Sequence, residues 1–222
     1  MLEDTNFKVE SLNESLGVMV IKGKRRYEYA TFRREIYEND ERNKMIGLKR
    51  NTVKLEMHQP EWDVKAAETI AMLKEILGPV AVDIQHIGST SIQTIHAKPI
   101  LDLVIGVNDL EDIKACIPAL AEKQVIFRGQ DHPEQLLFAM GDFEQDTRTH
   151  HIHVTVYGST PWQNYVNFRD YLNAFPEKAK EYDDLKLSSQ QQFANDRGAY
   201  TASKNALIDR FNREAKEWAD NK

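Results

Sequence analysis

Residues 100–107 read Ile100-Leu101-Asp102-Leu103-Val104-Ile105-Gly106-Val107, a run that is aliphatic or glycine at every position but one. A strand with one wet face alternates apolar and polar residues, so a run apolar at both parities belongs to a strand buried on both faces. The chain must therefore build a sheet around it. Asp102 is the only charge in the run. An isolated carboxylate there is costly unless it is paired, protonated or bound to a ligand or metal. Two readings stay open: a structural salt bridge or backbone cap, and a contact with a ligand or metal.

The surrounding sequence supplies that sheet and its cover. Residues 52–57 alternate as an edge strand would. Pro60-Glu61 opens an amphipathic helix that runs to Leu77, with Ile70, Leu73, Ile76 and Leu77 facing inward and Gly78-Pro79 stopping it. Residues 80–87 read as a strand and 110–123 as a helix. Further strands are expected near 125–128, 135–141 and 152–157. From Pro161 onward three helical stretches follow, separated near Pro176 and Arg197-Gly198, with Phe168, Tyr171, Leu172, Phe175, Leu207 and Phe211 at helical spacing. The expected fold is α+β, a short mixed β-sheet with C-terminal helices packed on one face. Residues 1–50 differ. Positions 17–21 are strand-like, while 25–50 are dense in charge with interspersed aromatics. This segment is expected to be a partly helical N-terminal extension, offering a route to a homodimer by packing on or swapping with a second copy, and residues 51–222 to be the main domain.

With 222 residues, 41% of them hydrophobic, the chain can bury a substantial core. Lys and Arg number 29 against 35 Asp and Glu, a net charge of -6, which argues against non-specific nucleic-acid binding by the whole surface. A local basic cleft is still allowed. Cys116 is the single cysteine, so no intrachain disulfide can form, and it is expected in the core. No stretch approaches the roughly 20 apolar residues of a membrane helix, and the acidic start Met1-Leu2-Glu3-Asp4 does not read as a secretion signal, so a cytoplasmic protein is expected.

Chemistry concentrates in two strings, His86-Ile87-Gly88-Ser89-Thr90-Ser91 and Lys98-Pro99-Ile100-Leu101-Asp102. Gly88 at a strand's end lets backbone amides approach a ligand closely. Ser89 and Thr90 add hydroxyl donors and Lys98 adds charge, a combination suited to phosphate. The plainer alternative is a strand-to-helix turn capped by Ser89 or Thr90. His151 and His153 lie two apart in a strand, so both project from one face and could converge with His86 and Asp102. Such a set could hold a divalent metal (Mg, Mn or Zn) through His86, Asp102 and His153, or hydrogen-bond a phosphate, or act as general base; half-exposed strand histidines are the bland reading. His58, His96, His132 and His150 are expected on surfaces or loops. Arg197, Tyr200 and Lys204, at i, i+3 and i+7, would form one stripe of the last helix, and Arg148 precedes the histidine strand. Together they could wall a cleft with bidentate donors, or be a solvated face paired with acids such as Asp196. Arg169-Asp170 reads as a structural ion pair.

These strings resemble the GrpB family. Its marks include His-Ile-Gly-Ser-Thr-Ser (His86 to Ser91) and Ala-Lys-Pro-Ile-hydrophobic-Asp (Ala97 to Asp102). Later marks are His151-Ile152-His153-Val154, Phe168-Arg169-Asp170-Tyr171-Leu172, Tyr182 with Leu185-Lys186, and Arg197 with Tyr200-Thr201 and Lys204. The likeness spans residues 53–218. After Ser91 the family usually has Pro-Gly, where this chain has Gln93-Thr94. GrpB proteins look like distant relatives of polymerase-beta-type nucleotidyltransferases, which implies a nucleotidyltransferase-like fold. It also implies a ligand that is a nucleotide or another phosphate-bearing small molecule, with nucleotidyl or phosphoryl transfer as the activity. In active nucleotidyltransferases two acids at i and i+2 hold two magnesium ions. Here Asp102 sits at the second position and Ile100 at the first, so usual two-metal chemistry lacks a ligand.

Two functions are therefore expected to compete. In one, an enzyme grips phosphate with Gly88, Ser89, Thr90, Lys98, Arg148, Arg197, Tyr200 and Lys204 and uses Asp102, His151 and His153 in catalysis. In the other, a non-catalytic nucleotide- or coenzyme-binding module keeps the grip and has lost the acid pair.

Overall fold

The computed structural model describes three strands in the first 45 residues, β1 (Val9–Asn13), β2 (Val18–Ile21) and β3 (Arg25–Glu28), together with residues 46–194 and 196–222. Contacts divide the chain into two units, Met1–Met45 and Ile46–Lys222. In the first, β1, β2 and β3 form an antiparallel meander. The strand expected near 17–21 is β2. Residues 25–28 are strand where a partly helical segment was expected, and the helix expected farther on falls at 29–45, outside the described residues.

The second unit begins with two short strands, β4 (Leu48–Lys49) and β5 (Glu56–Met57), then helix α1 (Pro60–Leu77) and strand β6 (Ala81–Ile87). A tight 3-10 turn over Ser89–Ser91 leads to β7 (His96–Ala97) and β8 (Leu101–Val107). Helices α2 (Leu110–Lys114) and α3 (Ile117–Glu122) follow, then β9 (Ile126–His132), β10 (Gln135–Met140), β11 (Thr147–Arg148) and β12 (His150–Val156). Helices α4 (Thr160–Ala174), α5 (Pro176–Gln192), α6 (Arg197–Ala202) and α7 (Asn205–Asp220) complete the unit. The central sheet has the order β6-β8-β12-β10-β9. Within it β8 and β12 run parallel and the other neighbours antiparallel, so the sheet is mixed as expected.

The aliphatic run occupies an interior strand with both faces covered, which is why both of its parities are apolar. Leu101, Leu103, Ile105 and Val107 join the main core with Ile84, Phe138, Ile152 and Val154, and with Trp62, Ala66, Leu73 and Leu77 of α1. Val104, of the other parity, packs with Ile87 and with Trp162 of α4. A second core ties Ile92 and Ile95, just after the turn, to Tyr171 and Leu172 of α4, Tyr182 of α5 and Phe211 of α7. The C-terminal helices thus lie on the face that carries Asp102, the α+β arrangement the sequence led us to expect. Each fully buried Leu or Phe side chain contributes roughly 2–3 kcal/mol to holding these layers together.

Helix α1 has the expected bounds. Pro60 sits in its first turn, Glu61 and Asp63 complement the N-terminal dipole, and Gly78 caps the end. Other boundaries differ for local reasons. The expected helix over 110–123 breaks in two because the ring of Pro118 excludes the carbonyl of residue 114, where α2 ends. Cys116, in the break, is a free thiol only partly buried against the main core. The edge strand over 52–57 shrinks to β5, which pairs with β7. Four C-terminal helices replace the expected three. Among the described residues, no helix is long and apolar enough to cross a membrane.

Candidate functional site

The site starts where β6 ends. Ile87 lies opposite Asp102 in the ladder, and the next residue, Gly88, has φ +70, the left-handed region that a residue with a Cβ enters only at a cost. A Cβ on Gly88 would also stand 2.5 Å from Asp102 Oδ2 and 2.9 Å from Asp102 Cβ. Glycine is required twice over, and the main chain at 88 lies directly against the Asp102 carboxyl. The turn closes on itself, because Ser91 Oγ and Ser91 N both donate to Gly88 O, at 2.7 and 3.2 Å. The buried Thr90 bonds through Oγ1 to His86 Nε2 at 2.9 Å. Burial pushes the Tyr182 hydroxyl up to about 12, with the neighbouring Ser89 side chain opposing the rise. Neither Ser89 nor Thr90 caps a helix.

Asp102 is neither orphaned nor bound to an arginine. Parallel pairing of β8 and β12 sets His151 beside it, with Nδ1 3.1 Å from Oδ1. Burial pushes the Asp102 carboxyl up, but the His151 hydrogen bond and the fields of His151, His153 and His86 outweigh it and hold the pKa below the usual value. An ionised carboxylate can only accept, so His151 Nδ1 donates this bond and Nε2 is left facing away from Asp102.

A cavity of about 270 Å³ opens over this pair, lined by Ser89, Lys98, Asp102, His151, Lys186, Arg197, Tyr200 and Lys204. Lys98 and Lys204 place their ammonium groups 4.3 and 4.4 Å from the centroid of one ring, that of the buried Tyr200. Burial brings Lys98 down to about 8, helped by the charges of Lys204 and Arg197, with Asp102 opposing. Lys204 falls to about 8 through burial, with Asp102 opposing and Arg197 reinforcing. Burial takes Lys186, which is 1% exposed, to about 7 against the pull of Asp183, with Lys204 lowering it further. Lys186 donates to His96 O and lies 3.7 Å from Asp183 Oδ1. Asp183 in turn accepts from His96 N at 2.8 Å and pairs with His96 Nδ1 at 2.8 Å. Four basic side chains and one carboxylate thus line the pocket, and burial together with neighbouring positive charge holds its lysines below their ordinary pKa.

Of the residues expected at a site, the structure gathers Ser89, Thr90, Lys98, Asp102, His151, Arg197, Tyr200 and Lys204 around this cavity, with Gly88 behind Asp102. Three it places elsewhere. His86 pairs in register with Leu103, so strand alternation turns it to the sheet face opposite Asp102, where it faces Asp63 of α1 at 3.5 Å; burial lowers its pKa to about 4. His153 shares the face of Asp102 but stacks on the Tyr165 ring, centroids 5.0 Å apart. Arg148 stacks over Phe143 at 4.3 Å, donates to Thr147 O and pairs with Asp146, because the short β11–β4 pairing carries it off the cleft wall. Among the described residues no group of three His, Cys, Asp or Glu stands close enough to hold a metal ion. The set His86, Asp102 and His153 is therefore not assembled, and the donors present do not fit a resident metal.

Three smaller expectations are also corrected. The basic stripe is not on one helix: Arg197 and Tyr200 are on α6, and Lys204 caps α7. Three histidines expected on surfaces or loops are structural. His150 is buried and bonds Thr69 and Thr149, His58 pairs with Asp63, and His96 is held by Asp183. Arg169 does pair with Asp170, and it also donates to Gln85 Oε1 and His86 O, tying α4 to β6. Lys186 was missed as a site residue. The signal was available, since it lies one helical turn after Tyr182 and so shares its face.

Fold and pocket together define an α+β protein with a cleft lined by basic side chains beside an aspartate-histidine pair. The chain belongs to the GrpB family: the family model described as GrpB protein matches residues 52–214. It is similar to the glutamate-rich protein GrpB of Alkalihalophilus pseudofirmus, 33% identical over 168 residues that cover 74% of this chain and 97% of that one. The crystal structure of the conserved protein GrpB from Enterococcus faecalis superposes with a TM-score of 0.69 at 28% identity, covering 74% of this chain and 99% of that one. A dephospho-CoA kinase of Mycolicibacterium paratuberculosis is 26% identical over 200 residues, 78% of this chain and 48% of that protein.

Proposed function

We propose that the polar cavity binds a phosphate-bearing small molecule and that the Asp102–His151 pair accepts a proton during phosphoryl or nucleotidyl transfer. The observation that carries this reading is the convergence of Lys98, Lys186, Arg197 and Lys204 on one cavity. Anion binding there relieves the mutual repulsion of the cations and replaces water as their partner. In the transfer step, an acceptor hydroxyl gives its proton to His151 Nε2 as its oxygen forms the bond to phosphorus. The leaving phosphate departs with the electron pair of the broken P–O bond while the cations stabilise the developing charge. Asp102 fixes the tautomer and offsets the charge on the imidazolium.

A specific observation favours a second reading, a binding module without turnover: Ile100 stands where the first acid would be, and among the described residues no metal-holding trio replaces it. Incubating the protein with each NTP, dephospho-CoA and inorganic phosphates, with and without magnesium or manganese, separates the two. Turnover that falls at least 100-fold in Asp102→Asn is the enzyme's expected outcome. Saturable binding with no product supports the module, and no binding by any phosphate compound sinks both. Dephospho-CoA belongs in the panel because the mycobacterial relative is named for acting on it, although the chain spans only about half of that protein.

A further inference from the structure

His86 and Thr90 flank the Gly88 turn, and the transfer step above gives neither a part in the chemistry. Thr90 lines the polar cavity and is 1% exposed. Its Oγ1 lies 2.9 Å from His86 Nε2. The other ring nitrogen, His86 Nδ1, stands 3.5 Å from Oδ1 of Asp63, in the first turn of α1. The second oxygen of that carboxylate, Oδ2, is 3.2 Å from His58 Nε2, and Arg169 clamps the main chain of the imidazole by donating to His86 O. Hydroxyl, imidazole and carboxylate thus form a line from the cavity, past the end of β6, to the opposite face of the sheet. A weak nucleophile is activated by this arrangement: a hydroxyl within hydrogen-bond reach of a base that a third group orients. A carboxylate only accepts, so with Nδ1 turned to Asp63 the nitrogen left to take the Thr90 O–H is Nε2. Burial lowers the His86 pKa to about 4 and so keeps a lone pair on the imidazole at neutral pH. Asp63 and then Asp102 oppose that lowering, and Arg169 and His58 reinforce it.

We infer that Thr90 Oγ1 is a nucleophile, with His86 as its base and Asp63 as a positioning residue, and that transfer passes through a phosphothreonine. This rests on the phosphate reading above and divides its displacement into two. In the first, Thr90 Oγ1 forms a bond to phosphorus, its proton passes to His86 Nε2, and the leaving group departs with the electron pair of the broken P–O bond. In the second, an acceptor hydroxyl attacks the phosphothreonine and gives its proton to His151 Nε2. Thr90 Oγ1 leaves with the electron pair of its own P–O bond and recovers its proton from His86. A covalent route also does without the acid pair that Ile100 interrupts.

The test is to incubate the full chain with acetyl phosphate, p-nitrophenyl phosphate and ATP, quench in acid, which leaves phosphothreonine intact, and map the adduct by mass spectrometry. At least one donor should place phosphate on Thr90. Thr90→Val should abolish the adduct, and His86→Gln should lower it at least tenfold with tripolyphosphate binding in calorimetry unchanged. His151→Gln should raise it, because the second displacement loses its base. Asp63→Asn should lower the adduct several-fold and Asp63→Glu should keep it, a rescue that a purely structural role does not give. The Asp63 side chain is 44% exposed, so this pair of variants decides the matter should His86→Gln fold poorly. No adduct from any donor, in the unaltered chain or in His151→Gln, with tripolyphosphate still bound, would overturn the covalent route and leave the phosphate site standing. Phosphate on Ser89 or Ser91 in place of Thr90, or an adduct that His86→Gln leaves unchanged, would overturn the triad. Absence of binding by every phosphate compound would overturn both readings.

Discussion

A larger cavity, of about 580 Å³ and lined by Gly88, differs in almost every respect from the cavity of about 270 Å³ lined by Ser89. The smaller collects four cations and the Asp102–His151 pair, and the larger collects rings, prolines and amides. Their frameworks differ as well. The aromatic cavity is held by ring packing and by one hydrogen bond from Tyr165, so its shape follows from apolar contact. The polar cavity is held by charges that repel one another, so it is least comfortable when empty. On the proposed function, the drive for anion binding lies in the cationic half.

The harshest way to break this contrast is Gly88→Ala, since Gly88 lines the larger cavity and a Cβ there would strike Asp102, which lines the smaller. The left-handed backbone costs about 1–2 kcal/mol for a residue with a Cβ, and forcing that Cβ against Asp102 adds an overpacking cost of about 1–3 kcal/mol. Denaturant unfolding should show a loss of roughly 2–5 kcal/mol from these two effects, and surviving protein should no longer bind phosphate compounds. A loss below about 0.5 kcal/mol, the range of an ordinary surface change, would mean the turn is not pressed on Asp102 as described.

A milder intervention separates the halves. Removing one charge-assisted contact costs about 1.5–3 kcal/mol, so Lys204→Met should weaken tripolyphosphate binding by at least tenfold in calorimetry with little change in unfolding. Arg148→Met, off the cleft wall, should leave affinity within about twofold, the factor expected of a distant site. Equal losses in the two variants would refute the placement of the basic wall.

The smallest effect is a pH trend of opposite sign in two measurements. Lys98, Lys186 and Lys204 have folded pKa values of about 8, 7 and 8, below their ordinary 10.5. Above these values the unfolded chain holds more protons than the folded one, so stability without ligand gains from these lysines as pH rises from 7 to 9. An anion prefers the protonated lysines, so its affinity should fall several-fold over the same range. Affinity that rises with pH would contradict the cationic pocket.

Much of the cationic half was legible in the chain, and almost none of the aromatic half. Asp102 announced itself as a charge in an aliphatic strand, and the Gly-Ser turn and the Arg197, Tyr200, Lys204 spacing are local patterns. Strand alternation also put His151 on the face of Asp102. The same alternation misled at His86, because which face a strand residue takes depends on the register of β6 against β8, and that register shifts between Ala81 and Asp83. Arg148 was misplaced because two-residue pairings such as β11 with β4 leave no periodic trace. The larger cavity gathers Gly88, the β9–β10 turn, α4, α5 and α7, which are far apart in sequence and carry no shared motif.

One last consequence follows from β8 and β12 being hydrogen-bonded neighbours. The spacing of carboxylate and imidazole is set by an in-register ladder, whereas two of the four cations, Arg197 and Lys204, sit on a six-residue helix and at the cap of the next. On the proposed function, substitutions at Arg197 or Lys204 would alter the grip on an anion while leaving the Asp102–His151 spacing, which the ladder sets, as it is.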